Sequence, residues 1–233
     1  MTKTIFWDLD GTLINSAAVH QCSMLAACEV AGLALQTTAE PSAGLDGAAT
    51  FRWFTGIDAE LQPQLYQMWY QATIHYVLNH LAECQPISWA CRWVTQLAEA
   101  GVPQWLVTNS DLQLASAALQ HLALNHCFAG IISRDQVQQG KPAAEPYMLA
   151  LQRSGCTTDC ALAIEDSLSG LIAARAAGVK VLAVTAIPEL PADFTLPAGM
   201  TATQEKALFH LLFGSSLPDS LKDNPDLIAI GNA

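Results

Sequence analysis

Residues 4–13 of this chain read TIFWDLDGTL. The first four residues are apolar or β-branched, which predicts a short strand buried within a sheet. The strand then meets two carboxylates, Asp8 and Asp10, and the Gly11 that follows them favours a turn. We therefore expect a buried strand whose end carries a pair of acids.

The same pattern of short apolar runs recurs along the chain. Further strands are predicted at residues 102–107, 130–133, 161–164 and 179–184. Helices are predicted between them at 89–100, 144–154 and 168–177, with another helical face at Leu112, Ala115, Leu119 and Leu122. Ser88 is the expected N-cap of the first of these helices, and a Gly follows each of the three bounded helices as a left-handed C-cap. Strands that alternate with helices predict an α/β fold with a Rossmann-like parallel sheet.

One segment interrupts this alternation. Residues 16–85 contain no convincing strand but carry Ala, Leu, Gln, Trp and Tyr at helical spacing, and Ser16 can cap the first helix. We expect an all-helical cap domain at 16–85, inserted into a discontinuous α/β core formed by 1–15 and 86–213. Residues 214–233, rich in Ser, Pro, Asp and Asn, are predicted to be a peripheral C-terminal tail.

The composition excludes several classes of protein. Of 233 residues, 52% are hydrophobic and 13% are charged, so the chain can bury a full core and is not disordered. The formal net charge of −11 disfavours nucleic acid and anionic membranes as partners. Seven cysteines without a CxxC motif are expected to be reduced thiols. No secretory signal or membrane span is recognised, so we expect a cytoplasmic protein. We also expect it to be a monomer or a weak dimer.

Polar motifs at the ends of the predicted strands carry the chemistry. They are Asp8-Leu9-Asp10, Thr108-Asn109-Ser110, Gly140-Lys141-Pro142 and Glu165-Asp166-Ser167. Ligands of open α/β sheets bind beyond the carboxyl ends of the strands, so we expect these motifs to converge on one pocket. Crowded carboxylates repel one another unless a cation holds them, and oxygen ligands together with a phosphate substrate favour Mg²⁺.

Together these residue types predict phosphoryl transfer. A carboxylate that faces a phosphoryl group can attack phosphorus and form an aspartyl phosphate. A second acid two residues away can protonate the leaving oxygen and later deprotonate water. A Lys and a Thr hydroxyl neutralise and orient the phosphoryl oxygens. Each motif alone has a structural explanation, such as a turn at Asp-Gly or helix capping by acids, but the set in this order does not.

The motifs at 8–13, 108–110, 140–142 and 164–167 resemble those of the haloacid dehalogenase (HAD) superfamily. The resemblance covers residues 1 to about 213 and is to the branch with a helical cap after the first strand. That branch includes phosphoglycolate-phosphatase-like and β-phosphoglucomutase-like proteins. The resemblance makes Asp8 the nucleophile and Asp10 the general acid and base. It also implies that Thr108 and Asn109 hold the phosphoryl group and that Lys141 pairs both with that group and with Asp8.

The resemblance also implies a metal site and includes two departures from the usual pattern. Mg²⁺ would be bound by Asp8, Asp166 and the main-chain carbonyl of Asp10, with Glu165 beside them. Trp7 stands where Phe commonly precedes the nucleophile, which we expect to alter only packing. Glu145 is expected to replace an Asp that is frequent after the Lys-Pro pair.

The function implied by the resemblance is that of an Mg²⁺-dependent phosphatase. Its substrate would be a small phosphorylated metabolite, such as a sugar or polyol phosphate or a phosphoglycolate-like compound. Asp10 argues against a dehalogenase, because a leaving halide needs no proton. The alternatives are a sugar-phosphate mutase resembling β-phosphoglucomutase and a non-enzymatic HAD-like binding protein. We expect hydrolysis, because Asp46 and Gly47 supply no cation where mutase-like sequences have an Arg.

Two residues of the predicted cap are candidate substrate contacts. His20 can hydrogen-bond to Asp10, as in sugar-phosphate members of the superfamily, or it can lie on a helix surface without a role. Arg52 is the only Lys or Arg between residues 16 and 84. A second anionic group on the substrate would therefore pair with Arg52, and a substrate without one would be a polyol or sugar phosphate.

Overall fold

The structure is a computed structural model that describes residues 4–39, 45, 47–184, 192–196 and 201–213. The predicted tail at 214–233 lies outside the described residues. Within those ranges, every helix is too short or too polar to cross a membrane.

The strands and helices alternate along most of the chain. In chain order the strands are β1 (Thr4–Trp7), β2 (Ile14–Asn15), β3 (Gln85–Pro86), β4 (Gln104–Val107), β5 (Gly130–Ile132), β6 (Ala161–Glu165), β7 (Lys180–Ala183) and β8 (Phe194–Thr195). The helices are α1 (Ala17–Val30), α2 (Gly47–Thr55), α3 (Pro63–His80), α4 (Ser88–Glu99), α5 (Leu112–His121), α6 (Glu145–Ser154), α7 (Leu168–Ala176) and α8 (Ala202–Phe213). Short 3₁₀ turns occupy Leu81–Glu83, Asn125–Cys127, Arg134–Gln136 and Thr158–Cys160.

Six strands form one parallel sheet in the order β5-β4-β1-β6-β7-β8. β1 lies between β4 and β6 and is fully buried. The chain runs from β1 outward to one edge through β4 and β5, and then crosses to the other side at β6. The order therefore reverses beside β1, where open α/β sheets bind their ligands. The prediction of a Rossmann-like parallel sheet is confirmed.

The core lies on both faces of this sheet. Alternate residues of β1 point in opposite directions, so Ile5 and Trp7 join one apolar cluster and Phe6 joins another. The first cluster includes α4 and α8, where Trp93 packs edge-on against Phe209 and at a similar distance against Phe213. The second includes residues of α6 and α7. Helices thus cover the sheet on both sides, as a parallel sheet requires.

Helix ends follow local sequence signals in most places. Gly101, Gly155 and Gly178 adopt φ values of +71°, +66° and +77°, so the three predicted glycine C-caps are confirmed. The predicted N-cap at Ser88 is wrong, because Ser88 is the first residue of α4 and Ile87 stands at the cap position. A predicted strand start at 102 is also two residues early, since Pro103 has no N–H to donate to a neighbouring strand.

The segment between β2 and β3 is helical. It contains α1, α2 and α3, which pack around Phe51, Phe54 and Trp69. β2 and β3 pair with each other in antiparallel fashion, Ile14 opposite Pro86, and so join the two ends of the helical segment. That this ribbon marks the boundary of a cap domain at 16–85 remains a prediction.

Candidate active site

A cavity of about 230 Å³ lies beyond the carboxyl end of β1. The sheet contributes its floor, and α1 with the start of α2 contributes the opposite wall. Seven of the residues predicted for the site line it: Asp8, Asp10, His20, Thr108, Asn109, Lys141 and Asp166. Glu165 and Arg52 do not line it.

Asp8 forms a buried ion pair with Lys141. The Lys141 Nζ donates to Asp8 Oδ1 at 2.7 Å and to Glu165 Oε1 at 2.5 Å. Burial raises the pKa of Asp8, and the charge of Lys141 opposes this shift. Burial by itself would lower the pKa of Lys141, but the two carboxylates raise it above its ordinary value, so Lys141 stays positively charged. The ammonium group therefore holds Asp8 at the cavity floor.

Glu165 is fully buried behind Asp8. Burial raises its pKa to about 8, with Lys141 acting in the opposite direction. The hydroxyl of Tyr147, on α6, donates to Glu165 Oε1, while Oε2 has no hydrogen-bond partner. A Cβ on Gly170 would lie 1.9 Å from Oε2, so only glycine leaves room for this carboxylate. Tyr147 was not predicted, because its position in the sequence is equally suited to an aromatic core residue.

Three carboxylates form a cluster that fits a divalent cation. Asp8, Glu165 and Asp166 each place an oxygen within 4.8 Å of the others. Burial, and then the charge of Asp8, raise the pKa of Asp166 to about 7. Gly11 has a φ of +83°, and a Cβ there would lie 1.9 Å from Asp166 Oδ2, so glycine is required on both counts. An all-oxygen set whose members repel one another is the donor set that Mg²⁺ prefers.

Asp10 is held by three side chains. Its Oδ1 accepts from Ser16 Oγ at 2.5 Å and lies 3.1 Å from His20 Nε2, and its Oδ2 accepts from Ser110 Oγ at 2.7 Å. Ser16 stands at the N-cap position of α1 but does not cap the helix, because its hydroxyl is directed to Asp10. Ser110 belongs to the second sequence motif, which by itself indicates no role for it, and its hydrogen bond orients Asp10.

The charges of Asp10 and His20 support each other. Burial would raise the pKa of Asp10, but His20 and the hydrogen bonds from Ser16 and Ser110 hold it well below its ordinary value. Burial would likewise lower the pKa of His20, but Asp10 raises it above its ordinary value. The pair therefore retains one proton to a higher pH than a free imidazole would. The prediction that His20 hydrogen-bonds to Asp10 agrees with this geometry.

A sequence model of the haloacid dehalogenase-like hydrolase family matches residues 5–184. The chain belongs to this family. A fructose-1-phosphate phosphatase of Escherichia coli is 29% identical over 190 residues, covering 77% of this chain and 95% of that protein. A phosphoglycolate phosphatase of Agrobacterium fabrum is 28% identical over 189 residues, covering 79% and 81%.

Solved structures agree on the fold. CbbY from Rhodobacter sphaeroides, solved with phosphate, superposes with a TM-score of 0.71 at 21% identity, covering 84% of this chain and 94% of that one. Family membership and relatives named as phosphatases confirm the prediction of a phosphoric monoester hydrolase.

Two further residues of the hydrolase anchor the loops of the site. The Asn109 side chain accepts the Lys141 N–H at 2.8 Å and donates to the Lys141 carbonyl at 3.0 Å. Asn109 lines the cavity, as expected for a phosphoryl contact, and it also ties two loops of the core together. The Glu145 carboxylate accepts the main-chain N–H groups of Gln138 and Gln139 at 2.9 and 2.8 Å, which fastens the loop before Lys141.

The structure differs from the sequence predictions at Arg52 and Trp7. Arg52 is not brought to the cavity: its side chain is 70% exposed and pairs with Asp58 at 3.5 Å. Trp7 does more than alter packing, because its indole N–H donates to Gln104 Oε1 at 2.8 Å in the buried sheet. The Gln104 amide in turn donates to the Val94 carbonyl at 2.9 Å, so the strand that ends in Asp8 is bonded to α4.

Proposed function

We propose that this hydrolase is an Mg²⁺-dependent phosphatase that cleaves small phosphate monoesters through an aspartyl phosphate on Asp8. The observation that carries the proposal is the placement of Asp8. Its carboxylate lies at the cavity floor beside the Lys141 ammonium, which also bonds Glu165, and within 4.8 Å of carboxylate oxygens of Glu165 and Asp166. A nucleophile, a cation for the phosphoryl oxygens and a metal-binding acid cluster are thus within reach of one bound phosphoryl group.

The metal would be held by Asp8, Asp166 and the main-chain carbonyl of Asp10, with Glu165 behind them. When bound, Mg²⁺ would neutralise the crowded carboxylates and the phosphoryl oxygens. Lys141 and Tyr147 both donate to Glu165 Oε1, so Oε2 is the oxygen of this side chain that has no hydrogen-bond partner.

The chemistry of the residues then follows in two steps. A carboxylate oxygen of Asp8 bonds to phosphorus as the ester oxygen leaves, and Asp10 transfers a proton to that oxygen. In the second step Asp10 takes a proton from water, whose oxygen attacks phosphorus and releases Asp8 and inorganic phosphate. Because the pKa of Asp10 is low and that of His20 is raised, the proton of this pair rests on His20 and passes to Asp10 as Asp10 protonates the leaving oxygen. The proton that Asp10 takes from water in the second step restores the pair, and the Lys141 charge stabilises the phosphoryl oxygens in both steps.

The substrate class is proposed from the relatives and the cavity. The named relatives act on fructose 1-phosphate and phosphoglycolate, which are both small monoesters. A mutase is the less favoured alternative, because a bisphosphate intermediate needs a cation on the α1–α3 side, and Arg52 is directed away from the cavity. A non-enzymatic binding protein is disfavoured because every group of the mechanism is present.

The test is turnover of p-nitrophenyl phosphate with Mg²⁺ and with EDTA. We expect Asp8→Asn to abolish turnover, and acid-quenched wild type to carry one phosphoryl group that Asp8→Asn lacks in intact-mass spectra. Asp159→Asn, in a 3₁₀ turn away from the cavity, is the matched control. Full activity of Asp8→Asn, or full wild-type activity in EDTA, would contradict the mechanism.

A further inference from the structure

Among the residues that the structure describes, the wall of the cavity that faces the phosphoryl site has no Lys or Arg side chain. Ten Lys and Arg residues occur in the chain, and Lys3 and Lys222 lie outside the described residues. Of the remaining eight, only Lys141 lines the cavity. Its ammonium group is already bonded to Asp8 and Glu165. A second anionic group on the substrate would therefore find no Lys or Arg here.

The helical segment opposite the core is acidic. By sequence, residues 16–84 contain Arg52 as their only Lys or Arg, against six acids: Glu29, Glu40, Asp46, Asp58, Glu60 and Glu83. Glu40 and Asp46 lie outside the described residues, and none of the other four lines the cavity. Arg52 is exposed and paired with Asp58. His20 also lines the cavity on this side, but its Nε2 lies 3.1 Å from Asp10 Oδ1 and is occupied by that carboxylate. An anionic tail of the substrate would therefore meet no Lys or Arg among the described residues on this side of the cavity, which disfavours such a tail.

We infer that this site selects phosphate esters whose organic part is short, hydroxylated and uncharged, with Gln21 as the side chain that contacts that part. The inference rests on the proposed phosphatase function and narrows it. Among the residues of this wall, Gln21 and Thr50 are polar, while Met24 and Leu45 are apolar. Such a surface suits carbon atoms that carry hydroxyl groups.

Gln21 is placed for this contact. It lies on α1, one residue after His20, and lines the same cavity. Its amide offers both a donor and an acceptor, as a hydroxyl group requires. Its hydrogen bond to the Thr38 carbonyl, at 3.5 Å, is at the outer limit of such bonds, so exchange for a substrate hydroxyl costs little.

The size of the cavity limits the organic part. About 230 Å³ must hold the phosphoryl group as well as the tail. This is below the roughly 300–1,000 Å³ of typical ligand pockets, which favours an organic part of a few carbons. A carboxylate at this wall would lose part of its water without meeting a Lys or Arg, whereas a hydroxymethyl group would gain a hydrogen bond with the Gln21 amide.

The experiment compares pairs of substrates that differ only in the tail. The two-carbon pair is 2-hydroxyethyl phosphate and 2-phosphoglycolate, and the three-carbon pair is glycerol 3-phosphate and 3-phosphoglycerate. We expect wild-type kcat/KM to be at least roughly tenfold higher for the uncharged member of each pair, as expected for a site that leaves a buried charge unpaired. Equal values, or a preference for the acids, would overturn the inference.

Variants then assign the selectivity to the wall. Gln21→Lys, and independently Met24→Lys, should shift the ratio within each pair towards the acid by at least about tenfold. Val30→Lys adds the same charge to the same helix at a site that is 68% exposed and outside the cavity, and should leave the ratio unchanged. The assignment of selectivity to this wall would be overturned if both cavity variants unfold thermally like the wild type but leave the kcat/KM ratio within each pair unchanged. It would also be overturned if Val30→Lys shifts that ratio as much as the cavity variants do.

The same experiment separates failure of the inference from failure of the proposed function. If the wild type does not hydrolyse p-nitrophenyl phosphate with Mg²⁺, the phosphatase mechanism fails and the inference fails with it. If it hydrolyses p-nitrophenyl phosphate but prefers the acidic member of each pair, only the inference fails.

Discussion

Ser110→Ala is expected to slow the cleavage of alkyl phosphates while leaving that of p-nitrophenyl phosphate nearly unchanged. Ser110 supplies the hydrogen bond to Oδ2 of Asp10, at 2.7 Å, whereas Ser16 and His20 both contact Oδ1. Without Ser110, the carboxylate is free to rotate about its remaining contacts. The proton it donates is then aimed less well at the leaving oxygen.

The size of the effect follows from the contact that is lost. A hydrogen bond to a charged group contributes about 1.5–3 kcal/mol, and the lower end applies here because the Asp10 side chain is 34% exposed. A barrier increase of about 1.4 kcal/mol slows the step roughly tenfold. An alkoxide needs this proton to leave, but p-nitrophenolate is a stable anion and does not.

The assay is kcat/KM for glycerol 3-phosphate and for p-nitrophenyl phosphate. For each substrate, kcat/KM reports the steps up to formation of the phosphoenzyme, so the later attack of water does not contribute. We expect about a tenfold loss for the alkyl ester, little loss for the aryl ester, and partial recovery in Ser110→Thr, which retains the hydroxyl. Ser154→Ala, which removes a hydroxyl bonded to the Leu151 carbonyl on α6, is the control. Equal losses for both esters would refute the role of Ser110 in orienting the acid.

Three further predictions concern stability and the contact between the helical segment and the core. Tyr147→Phe removes a hydrogen-bond donor to the fully buried Glu165 and should lower the free energy of unfolding by about 2 kcal/mol. Calorimetry should then show a Tm that is lower by roughly 4–8 °C, and an unchanged Tm would contradict this prediction. In EDTA the protein should lose thermal stability as pH rises from about 5 to 8. Burial raises the pKa of Glu165 to about 8 and that of Asp166 to about 7, so in this range the folded state binds more protons than the unfolded state. Added Mg²⁺ should reverse the loss at high pH, and a Tm that rises with pH in EDTA would refute this reasoning. Tyr70→Phe removes the hydrogen bond, 2.7 Å long, that the Tyr70 hydroxyl on α3 donates to Asp111 Oδ1. If this bond holds the helical segment over the substrate, the variant should raise KM more than it lowers kcat in steady-state kinetics. A loss confined to kcat would argue against that role.

Much of the fold and of the site could be predicted from the sequence, because both depend on local patterns. The apolar run at 4–7 is the observed β1, and the acids that follow it lie at the carboxyl end of the central sheet. The glycines after α4, α6 and α7 adopt the left-handed conformation that they were expected to supply. Strands of two residues, such as β2 and β8, carry too few residues for any pattern and were not predicted.

The contacts that complete the site were decided by the tertiary structure. Ser110 and Asp10 are 100 residues apart in sequence, and Lys141 and Asp8 are 133 apart, so no local pattern reports the distance between their side chains. The direction of a side chain also depends on its neighbours in space: Arg52 pairs with Asp58, and Ser16 bonds to Asp10 and leaves the α1 N-terminus uncapped. The sequence by itself therefore determined which chemical groups follow the strands. Packing of the sheet and helices decided which of those groups meet, because hydrogen bonds and ion pairs form only at separations of about 3–4 Å.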